Sequence, residues 1–154
     1  LEEMLAPLGN GLLVNVEVKQ AGIAHTVVSA LEAWLAAHPG WRSTLLLSSF
    51  DIGTTQALAG RRGDMRLGML YEDDLDDALA RARALDAWSL HMPLHEVSPA
   101  AVERAHALGL AVLVYTVNAI ADVERCAAAR VDGVFTDYPE RVVAWNRRAD
   151  SDTD

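Results

Sequence analysis

Six short apolar runs, each followed by a segment of helical pattern, divide this chain of 154 residues. The predicted strands span residues 11–18, 44–50, 66–70, 87–91, 110–117 and 131–136. Strict alternation of strands and helices predicts a parallel sheet that is covered by helices. Six strands are enough for an open doubly wound sheet, whereas a closed eightfold barrel needs about 250 residues and two further strand–helix units. The alternation alone leaves both architectures open.

The helices are marked by their apolar spacing and by residues typical of helix ends. They are predicted over residues 22–38, 53–59, 74–84, 99–108 and 120–129, and from Pro139 onward. Ser98 is a natural N-cap for the fourth of them, Pro99 suits its first turn, and Gly109 follows its last turn. Two core-facing sets are predicted, one on the first helix (Ile23, Val27, Leu31, Trp34, Leu35) and one on the last (Val142, Val143, Trp145).

The charge balance excludes one class of partner. Twenty-two acidic and 13 basic side chains give a net charge of −9, which repels the phosphate backbone of nucleic acids. No apolar run approaches the ~20 residues that span a bilayer, so we expect no transmembrane segment. The sequence does not reveal the compartment, and a cytoplasmic location is favoured. Since no linker or change of composition interrupts the chain, we predict one domain over residues 1–149 and an acidic tail over residues 150–154.

Two conspicuous features have structural explanations. The acidic cluster in residues 72–77 is typical of a solvated helix N-terminus, where carboxylates oppose the helix dipole. Cys126 is the only cysteine and lies in an apolar stretch. It can form no internal disulfide, and we predict that it is a small core residue.

The first predicted strand carries charge in an unusual place. In the segment Asn15-Val16-Glu17-Val18-Lys19, valines alternate with polar residues, so that Glu17 and Lys19 face the same way. Strands of parallel sheets are normally apolar on both faces, and a buried charge needs a partner or a metal ion. The spacing is compatible with a structural Glu17–Lys19 pair on an exposed edge strand and with a functional site. Ligands of parallel α/β folds bind at the carboxyl ends of the strands, which favours the site.

Other predicted strands also end in polar residues, which would converge at one end of a parallel sheet. Ser49, Asp51 and Asp137 are equally suited to be helix N-caps, and caps are commoner than ligands. The full set is Ser48, Ser49, Asp51, His91, Thr116, Asn118, Thr136 and Asp137.

Four blocks of this sequence resemble the glycerophosphodiester phosphodiesterase family, and they occur in the order of that family. They are Asn15-Val16-Glu17-Val18-Lys19, Ser49-Phe50-Asp51, Tyr115-Thr116-Val117-Asn118 and the segment Val131-Asp132-Gly133-Val134-Phe135-Thr136-Asp137-Tyr138-Pro139. The resemblance implies an incomplete TIM-type (β/α) barrel, containing units three to eight of the eight. It also implies a phosphoric diester hydrolase that cleaves glycerophosphodiesters to glycerol 3-phosphate and an alcohol.

The resemblance also implies roles for individual residues. Glu17 matches the family's metal-binding glutamate, for Mg²⁺ or Ca²⁺ in the complete enzyme, and Lys19 matches its active-site lysine on the phosphate side. Tyr115 stands where the family usually has a tryptophan that lines the substrate pocket. Ser49, Phe50, Asn118 and Asp137 match further motif positions, for which the resemblance implies supportive roles. Ser49, Phe50 and Asn118 are assigned to the substrate-binding set.

The sequence lacks the motifs of the family's first two units, namely a His-Arg-Gly, a Glu-Asn, a Glu-x-Asp metal pair and a second histidine. Since Mg²⁺ and Ca²⁺ want several oxygen ligands, we expect weak metal binding or none by this chain, and an inactive fragment of the parent enzyme. The alternative is a non-catalytic barrel fragment that self-associates. In either case we expect a homo-oligomer that covers exposed sheet edges.

Overall fold

The computed structural model describes residues 2–5 and 12–151, and the chain divides into two compact units, Leu1–Leu90 and His91–Asp154. The first unit begins with a short helix, α1 (Glu2–Leu5), and continues with three strands and three longer helices. These are β1 (Val14–Glu17), α2 (Ala24–Ala37), β2 (Leu45–Ser49), α3 (Ile52–Ala59), β3 (Arg66–Leu70) and α4 (Leu75–Ala84). A 3-10 helix, Pro39–Thr44, links α2 to β2, where the sequence predicted only a helix stop.

The strands of the first unit pair in parallel and in sequence order. β1 pairs with β2, and β2 pairs with β3, with Glu17 opposite Ser48 and Ser49 opposite Met69. This register brings the carboxyl ends of β1 and β2 side by side, each with polar residues at its end.

The core of the first unit lies between these strands and the helices. Every residue of β2 is buried. α2 contributes a stripe that includes Leu31, Trp34 and Leu35, as the apolar spacing predicted, while Ile23 and Val27 are half-buried against the same core. The alternation in β1 has the expected effect, because Val18 is buried and Val14 and Val16 pack against the core.

The strand β4 (Ser89–Pro93) spans the boundary between the two units. The second unit continues with a 3-10 turn (Leu94–Glu96) and then α5 (Pro99–His106), β5 (Ala111–Tyr115), α6 (Ile120–Ala128), β6 (Gly133–Val134) and α7 (Pro139–Ser151). β5 and β6 are parallel, with Leu113 opposite Gly133 and Val114 opposite Val134.

The helix-end signals of α5 are confirmed in detail. The Ser98 hydroxyl oxygen accepts a hydrogen bond from the Ala101 amide at 3.2 Å, and Pro99 is the first helical residue. Gly109 adopts a left-handed φ of 76°, which costs a glycine little and any other residue more.

Four predictions of detail are wrong or lie outside the described residues. β4 is shifted two residues beyond the predicted range of 87–91, and β6 is reduced to two residues. Val143 is 47% exposed, whereas Val142 and Trp145 are half-buried, because consecutive helical residues point about 100° apart. α7 continues to Ser151, and the remainder of the predicted acidic tail, residues 152–154, lies outside the described range.

The two structural explanations from the sequence are confirmed. Asp74 caps α4 by accepting a hydrogen bond from the Asp77 amide at 3.1 Å, and Asp76 and Asp77 lie exposed in the first turn. Cys126 is 1% exposed. Among the helices of the described ranges, none is both long enough and apolar enough to cross a bilayer.

Candidate active site

Glu17 and Lys19 form a loose ion pair at the carboxyl end of β1. Lys19 Nζ lies 4.0 Å from Glu17 Oε1, and the side chains are 81% and 29% exposed, respectively. An exposed pair at this distance contributes little to stability. Glu17 and Lys19 therefore lie side by side, and the ammonium group of Lys19 can leave the carboxylate at little cost.

The serines at the end of β2 hold the backbone of this charged segment. Ser49 is buried, and its hydroxyl donates to the Val18 carbonyl at 2.6 Å. The Ser48 hydroxyl donates to Asn15 Oδ1 at 2.9 Å, and the Ser48 carbonyl accepts from the Val18 amide at 2.8 Å. Both serine side chains are thus engaged in fixing residues 15–18.

Phe50 and Asp51 lead from β2 into α3. Phe50 is 44% exposed, which leaves an aromatic surface beside the end of the strand. Asp51 is the N-cap of α3, and its Oδ1 accepts from the Thr54 hydroxyl at 2.6 Å and from the Thr54 amide at 2.7 Å. These two hydrogen bonds hold the pKa of the Asp51 carboxyl below its usual value. The cap interpretation of Asp51 is confirmed.

In the second unit, Asn118 lies at the centre of a hydrogen-bond network. Its Oδ1 accepts from the Asp137 amide at 3.0 Å and from the Thr136 hydroxyl at 3.2 Å, while its Nδ2 donates to Asp137 Oδ2 at 2.8 Å. The network joins the segment that follows β5 to the segment that follows β6. Tyr115, the last residue of β5, is half-buried three residues before Asn118.

Arg141 belongs to the same network and was not among the residues predicted from the sequence. Its Nη1 donates to the Asn118 carbonyl at 3.1 Å, and its guanidinium lies 3.9 Å from the ring centroid of Tyr138. The available signal was its position in the first turn of a helix that begins two residues after Asp137. The positive end of the helix dipole repels a cation there, so its position calls for an explanation.

Three of the five histidines have structural surroundings. His91 is 1% exposed and lies 5.1 Å from the ring of Phe135, and burial lowers its pKa to about 4. His106 Nε2 lies 2.8 Å from Asp132 Oδ2. His38 stacks on Trp34 with a centroid distance of 4.5 Å. His91 is therefore neutral at physiological pH and nearly out of reach of solvent.

Glu17 supplies one carboxylate and does not complete a metal site. Within the described part of the chain, it belongs to no group of three carboxylate, imidazole or thiolate ligands whose atoms lie within 4.8 Å of one another. Mg²⁺ and Ca²⁺ take at least six oxygen ligands, several of which come from the protein in a tight site. The described residues thus fit one ligand of such an ion and not its whole coordination.

Parallel strands in sequence order, alternating with helices and ending in polar residues, define a (β/α)-barrel protein. Solved structures share the fold. A candidate glycerophosphodiester phosphodiesterase from Galdieria sulphuraria matches with a TM-score of 0.82 and 20% identity, over 94% of this chain and 62% of that one. The glycerophosphodiester phosphodiesterase of Thermotoga maritima matches with a TM-score of 0.74 and 23% identity, over 94% and 62%. The predicted fold class, an incomplete TIM-type barrel, is confirmed.

The chain belongs to the glycerophosphoryl diester phosphodiesterase family, whose model matches residues 1–141. It is 27% identical over 141 residues to the glycerophosphodiester phosphodiesterase of Caldanaerobacter subterraneus subsp. tengcongensis. This alignment covers 88% of the chain and 56% of the relative, so the chain spans little more than half the length of that protein.

Proposed function

We propose that this chain carries part of the active site of a phosphoric diester hydrolase, which cleaves glycerophosphodiesters to glycerol 3-phosphate and an alcohol. The observation that carries the proposal is the Glu17–Lys19 pair, which lies at the carboxyl end of β1 in a chain of this family. In (β/α) barrels, that end of the strands is where catalytic residues lie.

Lys19 is the residue that acts on the phosphate in this proposal. Its ammonium is 81% exposed and only 4.0 Å from a single carboxylate oxygen, so it is free to exchange that contact for a phosphoryl oxygen. Water attacks phosphorus and gives up a proton, the bond from phosphorus to the alcohol oxygen breaks, and the leaving alkoxide takes up a proton. Negative charge grows on the phosphoryl oxygens during this step. A cation in contact with these oxygens stabilises that charge more in the transition state than in the substrate.

Glu17 would supply one oxygen ligand to a Mg²⁺ or Ca²⁺ ion in a complete site, where the ion adds Lewis-acid chemistry. Its backbone is held in place at the next residue, where the Val18 carbonyl accepts from the Ser49 hydroxyl and the Val18 amide donates to the Ser48 carbonyl. The Cα–Cβ bond of Glu17 therefore leaves the strand in a fixed direction. Ser49 therefore has a positioning role in this proposal and does not contact the substrate.

Phe50 and Tyr115 are proposed to line the organic part of the substrate. Both are aromatic, both directly follow or end a strand, and Phe50 is substantially exposed. A phosphodiesterase from Oleispira antarctica, with a TM-score of 0.73 and 24% identity over 84% of this chain and 53% of that one, was solved with the product sn-glycerol-3-phosphate. That product is the ligand of choice for a binding test.

We expect glycerol 3-phosphate to bind this chain weakly and to lose about tenfold in affinity in Lys19→Met. Removing a charged hydrogen bond of this kind costs about 1.5 kcal/mol. Backbone amide shifts in a nuclear magnetic resonance titration measure both the affinity and the place of binding, which should include residues 17–19.

Arg147→Ala is the matched control, because it removes an exposed cation from α7 and leaves β1 unchanged. It should bind like the original chain. Shifts that do not saturate, or that are the same in Lys19→Met, would contradict the role proposed for Lys19.

The chain also has a surface that favours the second candidate, a self-associating barrel fragment. Leu12 and Leu13, immediately before β1, are 53% and 42% exposed, and among the described residues β1 pairs with β2 alone. A strand with one free side can pair with another chain, and burial of neighbouring apolar side chains makes the association more favourable.

We therefore propose a dimer or larger oligomer, which light scattering at micromolar concentration would detect. Leu12→Glu combined with Leu13→Glu should shift it towards the monomer. Leu108→Glu, at a leucine that is 41% exposed in the second unit, is the matched control and should not. A monomeric original chain would refute this proposal.

A further inference from the structure

We propose that Arg141 is a positioning residue, which fixes the conformation of the segment Tyr115–Asn118 through the backbone of Asn118. The inference rests on the proposed function for one point only, namely that Tyr115 in this segment lines the substrate. It concerns Arg141 on α7, a residue outside the motifs that point to that function.

The side-chain oxygen of Asn118 cannot accept a hydrogen bond from a substrate while it keeps its hydrogen bonds within the protein. Its side-chain oxygen accepts two of them, from the Thr136 hydroxyl and the Asp137 amide, and its side-chain nitrogen donates one to Asp137 Oδ2. An amide oxygen has two lone pairs, so its accepting capacity is filled. Asn118 therefore acts as a link between two segments.

The backbone of Asn118 is fixed separately, by Arg141. The Nη1 atom of Arg141 donates to the Asn118 carbonyl at 3.1 Å. Such bonds from a charged donor are stronger than bonds between neutral groups. Because the side chain and the carbonyl of Asn118 are both held, the backbone of this residue has little freedom to rotate.

Tyr138 keeps the arginine in place. The guanidinium lies over the Tyr138 ring at 3.9 Å, and the Tyr138 amide donates to the Thr136 hydroxyl at 3.0 Å. A planar guanidinium can stack on an aromatic ring and donate a hydrogen bond at the same time, whereas an ammonium group cannot stack in this way. A backbone hydrogen bond joins the same two segments, from the Val117 amide to the Phe135 carbonyl at 2.8 Å. Arg141, Tyr138 and Asn118 thus join the segments after β5 and β6 into one rigid element.

Backbone hydrogen exchange of Val117 and Asp137 tests this inference without any ligand. We expect Arg141→Ala to speed their exchange about tenfold, since opening of the segment then breaks one charged hydrogen bond fewer. Arg141→Lys keeps a donor for the Asn118 carbonyl and loses the planar stack, so it should restore part of the protection. Arg147→Ala, on the same helix, should change nothing. Unchanged exchange in Arg141→Ala would overturn the inference, as would an equal increase in Arg141→Lys.

The titration with glycerol 3-phosphate separates this inference from the proposed function. If the original chain binds the ligand, Arg141→Ala should lose the shifts at Tyr115 and keep those at Lys19. Retained shifts at Tyr115 would show that Arg141 does not position the segment for ligands. If the original chain binds no ligand, the proposed function fails, while the exchange rates still decide whether Arg141 fixes the segment.

Discussion

The chain on its own is expected to release glycerol 3-phosphate from glycerophosphocholine no faster than its Glu17→Gln variant, even in millimolar Mg²⁺ or Ca²⁺. Hydrolysis of a phosphodiester needs charge stabilisation at the phosphoryl oxygens and a proton for the leaving alkoxide. Glu17 offers one carboxylate to a metal ion, and it belongs to no larger group of potential ligands among the residues described.

His91 does not supply the missing proton. Its pKa of about 4 leaves it neutral at pH 7, and its side chain is 1% exposed. A general acid works best with a pKa near the working pH and within reach of the leaving group, and His91 has neither property.

A coupled assay for glycerol 3-phosphate measures the outcome. His25→Gln, which alters an exposed histidine, controls for contaminating activity from the preparation. Metal-dependent turnover in the original chain that disappears in Glu17→Gln would show that the described residues suffice for catalysis, and it would contradict the prediction.

The second large effect is a loss of stability as the pH falls from about 6.5 to about 4. Burial lowers the pKa of His91 from 6.5 to about 4. Below pH 6.5, His91 is protonated in the unfolded chain, whereas in the folded chain it is protonated only below about pH 4. The contribution of His91 is therefore fully present above pH 6.5, and it is lost as the pH falls, up to about 3 kcal/mol.

Urea unfolding at pH 7 and at pH 4.5 measures this difference. His91→Gln has no titrating group at the position, so the part due to His91 should disappear from its pH dependence. His25→Gln, at an exposed position, should keep the full dependence. Equal losses of stability in His91→Gln and in the original chain would show that other groups cause the acid sensitivity.

The fold was predictable from the sequence wherever local signals and packing agree. β3 was predicted over its observed range, and α5 was predicted from its cap and its first proline, because such signals act within a few residues. Val16 and Val18 gave the buried face of the first strand for the same reason. These elements need little information from the rest of the molecule.

The ends of β6 could not be predicted, because side-chain hydrogen bonds join the backbone pairing on both sides of it. Before Gly133, the Asp132 amide donates to the Val112 carbonyl at 2.9 Å, while the Val112 amide donates to the Asp132 side chain at Oδ2, at 2.7 Å. After Phe135, the chain turns to bind the Asn118 side chain through Thr136 and Asp137. A run of β-branched residues contains no sign of either contact.

The candidate site was predictable to a similar extent. Glu17 and Lys19 stood out because charges on a strand that otherwise packs into a core are rare. The roles of Ser49 and Asn118 could not be told from their positions, since a hydroxyl or an amide at the end of a strand can face a ligand or another segment. The hydrogen bonds from Ser49 to Val18 and from Asn118 to Asp137 favour the second.

The reactivity of the buried Cys126 thiol reports on motions of the second unit. It is the only cysteine of the chain, it lies on the inner side of α6, and burial raises its pKa. A thiol reagent can react with it only during moments when α6 moves away from its neighbours, and only with the small thiolate fraction present then. The rate of labelling therefore reports how often α6 opens at Cys126, and no other cysteine contributes to the signal.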